Sequence, residues 1–221
     1  DHLHGQNIPL LVDEAHGAHL SLHPAFGGSA VAAGADLVVQ SLHKTLPALT
    51  QTALLHVNGS LVSLDRVRTN FKMLQTSSPS FLLLSSVDQC IGALEEQADE
   101  LFSALQQNLL QFYEKTKGLK QLHVIHPVEY AGSYDPSRIV VTTPDTLTGL
   151  QLADRLKQDF GIELEASASR HTIAITGIAD TEETFERFAK ALLAIDADLT
   201  LKQATKHTTN SCFRYPAIPE A

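Results

Sequence analysis

Two stretches near the amino terminus decide the fold: LLVDEAHGAH at residues 10–19 and VVQSLHKTLPALTQTALLH at residues 38–56. Continuously apolar runs in and around them predict short buried strands over 8–13, 35–41 and 53–57. Strands of this kind, separated by crossovers, are typical of an α/β domain whose sheet is covered on both faces. The sequence therefore predicts an α/β fold.

The first two strands each end in residues that can carry chemistry. Asp13 closes the first strand, and Ser41, His43 and Lys44 follow the second. Because ligands in open α/β sheets bind beyond the carboxyl ends of strands, we expect these residues to face one crevice. Pyridoxal phosphate (PLP) needs this combination: a lysine holds it as a Schiff base, and a carboxylate keeps its pyridine nitrogen protonated. Hydroxyl and imidazole donors would suit its phosphate, and a small residue such as Ala15 would let its ring lie flat.

These stretches resemble the Orn/Lys/Arg decarboxylases, a bacterial family of the aspartate-aminotransferase fold whose members make polyamines or their precursors. The family pattern is Ser-x-His-Lys, then small residues, then Thr-Gln and two more small residues. The residues that match it are Ser41, His43, Lys44, Ala48, Thr50, Gln51, Thr52 and Ala53, whereas Pro47 departs from the small residue expected there. The segment LQTSSPSFLLLSSVD (74–88) also looks like the one that follows in these enzymes. The resemblance is strong over 8–90 and weaker beyond.

The resemblance implies a role for each matched residue. Lys44 would be the Schiff-base lysine and Asp13 the partner of the pyridinium nitrogen, and these two would be the catalytic residues. Ala15 would lie against the ring, and Ser41 and His43 would lie near the phosphate.

The resemblance also implies contacts beyond this group. His16 would be a further cofactor contact, and Thr76, Ser77 or Ser78 would reach the phosphate in a partner subunit, because sites of this fold form at dimer interfaces. The implied function is PLP-dependent decarboxylation of lysine, arginine or ornithine by a homodimer or larger homo-oligomer.

The rest of the chain predicts helices and then a small second module. Helical spacing runs over about 60–117, interrupted by TSSPS at 76–80, and the following pattern contains both strand and helix signals. The predicted strands and helices of the module are strands at 138–142, 162–166 and 172–176, a helix at 147–160 ended by Gly161, and a helix at 181–195 that begins with a capping box of Asp180 and Glu183. We expect residues 1–120 to form part of a PLP-binding large domain with connecting helices, and 121–221 a small C-terminal α+β domain.

Composition excludes several classes of protein. The net charge of −9 argues against a nucleic-acid partner, and no apolar run is long enough to predict a membrane span. Only Cys90 and Cys212 are present, which favours a reducing, cytoplasmic location. The chain lacks an initiator Met and enters a strand almost at once, so we expect the amino-terminal part of a longer protein to be missing.

Other interpretations of the same residues are weaker. Asp-Glu-Ala-His also occurs in helicases, but no GxxxxGK[ST] loop accompanies it. His16, His19 and His23 with the neighbouring acids lack metal-site spacing, so no metal is predicted. Arg138 and Arg170 could meet a substrate carboxylate, as arginines do in related transaminases, although a structural role is favoured.

Two alternative functions stay open. One is another reaction on the same PLP fold, such as an aminotransferase or lyase step. The other is a non-catalytic, truncated relative that acts as an assembly subunit.

Overall fold

The structure, a computed structural model, describes residues 2–129 and 134–210. The described chain divides into two units. The first comprises residues 2–109, 134–138 and 175–181, and the second comprises residues 110–129, 139–174 and 182–210. No helix in the described residues is long and apolar enough to cross a membrane.

The first unit contains a three-stranded sheet and the helices that follow it. Its strands are β1 (Leu11–Asp13), β2 (Leu37–Ser41) and β3 (Ala53–Val57), in the order β1-β2-β3. Strand β1 pairs parallel to β2, and β3 pairs antiparallel to β2. The helices are α1 (Leu42–Thr45), α2 (Leu64–Leu74) and α3 (Phe81–Thr116), whose residues after 109 belong to the second unit, and 3-10 turns lie at His4–Gln6 and Pro24–Phe26.

The predicted strands of this unit are confirmed, although the first and second start later than predicted. The prediction that both faces of the sheet are covered is wrong for the described residues. On one face Val38 is fully buried and Gln40 is nearly so, whereas on the other Leu11 is 65% exposed and Leu55 is 38% exposed. Since alternate residues of a strand point to opposite faces, a continuously apolar strand places apolar side chains on both faces of the sheet. The described part of the chain covers only one of them.

Helices α2 and α3 confirm the predicted helical region and its interruption. Ser63 caps α2 by accepting a hydrogen bond from the Arg66 backbone N–H at 3.4 Å. The core of this unit lies between the loop after β1 and helix α3, where the rings of Phe26 and Phe102 pack edge to face with centroids 5.5 Å apart.

The second unit is built on a four-stranded sheet with the order β4-β5-β7-β6. Its strands are β4 (His123–Val124), β5 (Arg138–Thr142), β6 (Ala166–Ser167) and β7 (His171–Ile175), except that the end residues Arg138 and Ile175 belong to the first unit. Its helices are α4 (Gly149–Phe160) and α5 (Glu182–Asn210), and a 3-10 turn lies at Pro127–Glu129. Helix α4 begins with a complete capping box of Thr148 and Gln151 and ends at Gly161, whose φ of 64° is the left-handed conformation that glycine adopts readily.

Two predictions in the second unit are wrong. Residues 162–165 are not a strand, since β6 is only Ala166–Ser167. Helix α5 starts at Glu182 and continues to Asn210, well beyond the predicted end at 195. The Asp180 carboxylate accepts a hydrogen bond from the Gly177 backbone at 2.8 Å, upstream of the helix. The tail beyond 210 lies outside the described residues.

Asp196 on α5 anchors the chain at the end of α3. It is 5% exposed, and it accepts backbone hydrogen bonds from Lys120, Gln121 and Leu122 at 2.9, 2.7 and 2.8 Å. Replacing Asp196 by Ala would leave these three N–H groups without their acceptor. We expect the free energy of unfolding in urea to fall by about 3 kcal/mol, whereas Asp159→Ala on the exposed side of α4 should change little. Equal effects of both substitutions would contradict the anchoring role.

Candidate active site

The carboxyl ends of β1 and β2 meet at one edge of the first sheet. Asp13 is opposite Val39, and beyond the strand the Ser41 backbone N–H donates to the Ala15 carbonyl at 3.2 Å. Because side chains alternate along a strand, Asp13 shares a sheet face with Val39 and therefore with Ser41, two residues further on. The structure thus brings the predicted carboxylate and the predicted hydroxyl to one edge.

Lys44 lies just beyond this edge, in the short helix α1. Its Nζ is 3.3 Å from Nε2 of His16, and both side chains are exposed. An ammonium group donates this contact and the neutral ring accepts it. Two residues 28 positions apart in the chain therefore form one polar pair just beyond the ends of strands β1 and β2.

Asp13 also shapes the turn that follows it. Its Oδ1 accepts a hydrogen bond from the Ala15 backbone N–H at 3.1 Å, and its side chain is exposed. This contact orients the carboxylate at the strand end and leaves further acceptor capacity toward solvent. Ala15 is partly buried, and its carbonyl ties the turn to Ser41.

Ser41 and His43 differ in how they are held. Ser41 precedes α1, and its side chain makes no capping hydrogen bond. His43 Nδ1 lies 2.9 Å from the Thr52 carbonyl, so Nδ1 carries a proton and donates. The preceding residue, Gln51, has a φ of 78°, in the left-handed region that non-glycine residues rarely adopt. This backbone conformation turns the chain so that the Thr52 carbonyl faces helix α1.

A partly buried polar network supports the loop after β1. Glu14 accepts hydrogen bonds from the Ala30 backbone at 2.7 Å and from the Gln40 side chain at 2.6 Å, and Gln40 is in turn 2.9 Å from His56. Gly17 lies so close that a Cβ there would sit 2.4 Å from the Glu14 side chain. From the sequence, Glu14 is considered only as one acid of a metal cluster that is not predicted. The sequence signal for its actual role is the presence of two polar residues, Gln40 and His56, within otherwise apolar strands.

A second set of contacts supports the same loop. Arg138 Nη2 donates to the His16 carbonyl at 2.7 Å, and Asp135 Oδ2 is 3.4 Å from Arg138 Nε and 3.1 Å from His19 Nε2. Burial alone would raise the pKa of Asp135, but the hydrogen bonds and charge of His19 and the hydrogen bonds of Ser137 outweigh it and hold the pKa below its usual value.

Other candidate residues lie elsewhere. Arg170 forms an ion pair with Asp145. Thr76, Ser77 and Ser78 lie in the exposed loop between α2 and α3, and in the described part of the chain no hydrogen bond joins them to Lys44. Within residues 2–129 and 134–210, no group of three or more His, Cys, Asp or Glu is arranged to hold a metal ion.

Comparison with known sequences places this chain in a family. The sequence model described as "Orn/Lys/Arg decarboxylase, major domain" matches residues 1–149. The chain is 32% identical over 98% of its length to an arginine decarboxylase of Bacillus subtilis, and 33% identical over 96% to one of Halalkalibacterium halodurans. It spans only 45% and 43% of these relatives.

Comparison with solved structures concerns the fold. A lysine decarboxylase of Francisella novicida superposes with a TM-score of 0.72 at 17% identity, covering 84% of this chain and 32% of that one. An alanine–glyoxylate aminotransferase of Nostoc sp. superposes with a TM-score of 0.64 at 15% identity, covering 86% and 54%. The predicted α/β fold class, part of a PLP-dependent transferase-like large domain followed by a small α+β part, is confirmed. The domain boundary near residue 120 stays a prediction. With the family model matching most of its length, the chain belongs to the Orn/Lys/Arg decarboxylase family.

Proposed function

We propose that the full-length protein is a PLP-dependent decarboxylase of a basic amino acid. The observation that carries the proposal is the pairing of Lys44 with His16 at 3.3 Å, at the sheet edge where strand β1 ends in Asp13. A lysine that holds PLP as a Schiff base and a carboxylate at its pyridine nitrogen are the groups that PLP chemistry takes from a protein, and the imidazole would be a further polar contact. Membership of the decarboxylase family supports this reading over a chance cluster of polar residues.

The residues at this edge fit PLP chemically. Lys44 would hold it through its amine, the Asp13 carboxylate would hold a proton at the pyridine nitrogen, and Ala15 leaves room for a ring. The Ser41 hydroxyl makes no capping hydrogen bond to helix α1, so it would serve as a donor to the phosphate. His43 already donates from Nδ1 to Thr52, so it would donate to the phosphate from Nε2 as the doubly protonated ring. When bound, PLP supplies an electron-accepting ring that stabilises negative charge at the substrate Cα.

Arginine is the substrate to test first, because the two curated relatives are named arginine decarboxylases. Lysine and ornithine belong to the same family description. The products, a diamine or agmatine, would feed polyamine synthesis. A cytoplasmic location stays a prediction.

The test is a substrate screen with the purified full-length protein. Arginine, lysine and ornithine are supplied with and without added PLP, and released CO₂ and the product amine are measured. We expect CO₂ release that depends on added PLP, with one CO₂ released for each molecule of a single product amine. A 2-oxo acid without CO₂ would favour transamination instead. If the protein neither binds PLP nor releases CO₂, the proposal is wrong and the assembly-subunit alternative gains support.

We also propose that the protein is a homo-oligomer, and that its subunits meet at an apolar ridge on α2 and α3. The ridge consists of Phe71, Met73, Leu74, Phe81, Leu82 and Leu84, whose exposed fractions run from 47% to 88%. A concentration of exposed large apolar side chains within one stretch of a chain favours a protein contact. Thr76, Ser77 and Ser78 lie between the two halves of the ridge, where a second copy could use them.

The ridge predicts how substitutions affect assembly. We expect the combined variant Leu74→Glu and Phe81→Glu to weaken self-association by roughly a hundredfold or more, measured by analytical ultracentrifugation. Leu150→Glu, on an exposed part of α4 outside the ridge, should leave the assembly unchanged. An unchanged association constant for the double variant would exclude the ridge.

Sharing of the site between subunits has its own test. A Lys44→Ala protein and a protein with Thr76, Ser77 and Ser78 all changed to Ala are each expected to be nearly inactive. Unfolding and refolding them together should restore part of the activity, since one site of each mixed dimer would have both sets of native residues. No recovery from mixed dimers would place the three hydroxyls outside the site.

A further inference from the structure

The loop that carries His16 is held by a cluster that lies far from it in sequence. The Arg138 guanidinium donates to the His16 carbonyl at 2.7 Å across 122 positions of sequence. The His16 ring itself is 3.3 Å from Lys44 Nζ. Arg138 therefore binds the backbone of His16, the same residue whose ring contacts the lysine.

Arg138 is itself held in place. Asp135 Oδ2 is 3.4 Å from Arg138 Nε, and the two side chains are only 19% and 17% exposed. The other oxygen of Asp135 accepts hydrogen bonds from the Ser137 backbone at 2.9 Å and hydroxyl at 2.7 Å. A carboxylate bound on both oxygens cannot turn away, so the guanidinium has a fixed direction.

His19 completes the cluster from the loop side. It is 2% exposed, and its Nε2 lies 3.1 Å from Asp135 Oδ2 and 3.3 Å from Ser137 Oγ. Donation to the carboxylate assigns the proton to Nε2. Two points of the loop, the His16 carbonyl and the His19 ring, are thus tied to the same Asp135–Arg138 pair.

We propose that Arg138, oriented by Asp135 and His19, is a positioning residue of the Lys44 site that sets the His16 imidazole against the lysine and its cofactor. The inference rests on the proposed function, because it assigns Arg138 to the same site. It differs from the role of arginine in a carboxylate clamp, since the guanidinium binds protein backbone and not substrate. Fixed supporting contacts of this kind keep reacting groups within a fraction of an ångström.

The first test is Arg138→Met in the full-length protein, which keeps the apolar stem and removes the donors. We expect the PLP dissociation constant, followed by cofactor absorbance and by borohydride labelling of Lys44, to rise about tenfold, and kcat to fall about tenfold with KM within about threefold. Arg138→Lys should recover only part of this, because an ammonium cannot reproduce both contacts of the planar fork. A large rise in KM with unchanged PLP affinity would show direct substrate binding and overturn the proposal.

A double-mutant cycle tests whether Arg138 acts through His16. In a His16→Ala background, Arg138→Met should change PLP affinity by less than about twofold, because the ring that it positions is already absent. Additive effects of the two substitutions would contradict the inference.

Two controls separate this role from stability and from the proposed function. Arg155→Met removes a guanidinium that pairs with Asp198 at 3.1 Å, and it should leave PLP affinity unchanged. If Arg138→Met lowers only the melting temperature, Arg138 is structural and the inference fails. If the native protein does not bind PLP at Lys44, the proposed function itself fails.

Discussion

Lys44→Ala is expected to lower the decarboxylation rate of the full-length protein by roughly ten-thousandfold or more, because it removes the amine that would hold the cofactor. The structure gives a local reason to expect that the substitution affects activity and not folding. Lys44 is exposed and contacts the His16 ring at 3.3 Å, so its removal leaves no buried cavity. The melting temperature of the protein without PLP should therefore stay within about 2 °C of the native value.

The measurement combines kinetics with chemical labelling. The native protein is reduced with borohydride in the presence of PLP, digested and mapped by mass spectrometry, with the cofactor mass expected on Lys44. Lys190→Ala is the matched control, since Lys190 is an exposed lysine that pairs with Glu186 four positions away. A label on another lysine, or full activity in Lys44→Ala, would refute the assignment.

Asp13→Asn is expected to lower the rate by roughly two to three orders of magnitude, the loss typical of removing one preorganised charged partner. The choice of Asn isolates charge from shape. The Asp13 Oδ1 accepts a hydrogen bond from the Ala15 backbone at 3.1 Å, and an Asn side-chain oxygen can accept the same bond. The turn should persist while the charge that would hold a proton at the pyridine nitrogen is lost.

Two further variants define the outcome. Asp13→Ala removes the turn contact as well and should be at least as damaging, whereas Asp159→Asn on the exposed side of α4 should behave like the native protein. A cofactor analogue with a permanently charged ring nitrogen should restore much of the activity to Asp13→Asn. Native activity in Asp13→Asn without such an analogue would show that another group fills this role.

Local sequence patterns predicted much of the first unit. Strands β2 and β3 follow apolar runs, and the helices α2 and α3 follow regular apolar spacing with a Ser- and Pro-containing break between them. Patterns failed where the signal was not local. The segment after residue 195 continues as helix α5. The buried side of the helix does not stop at 195, since Asp196 and Leu199 are 5% and 7% exposed, and a helix that has already formed adds further residues at little cost.

By itself, the sequence determined the fold class, the family and the position of Lys44, because a dense motif after an apolar strand carries that information within about twenty residues. Only the tertiary structure separated the two adjacent acids, since Glu14 accepts a hydrogen bond from Gln40 at 2.6 Å in a partly buried network while Asp13 is exposed at the strand end. It alone brought Arg138 to the His16 carbonyl. The physical reason is that such contacts join residues 26 and 122 positions apart, and their partners are selected by burial and direction in three dimensions, which periodicity along the chain does not encode.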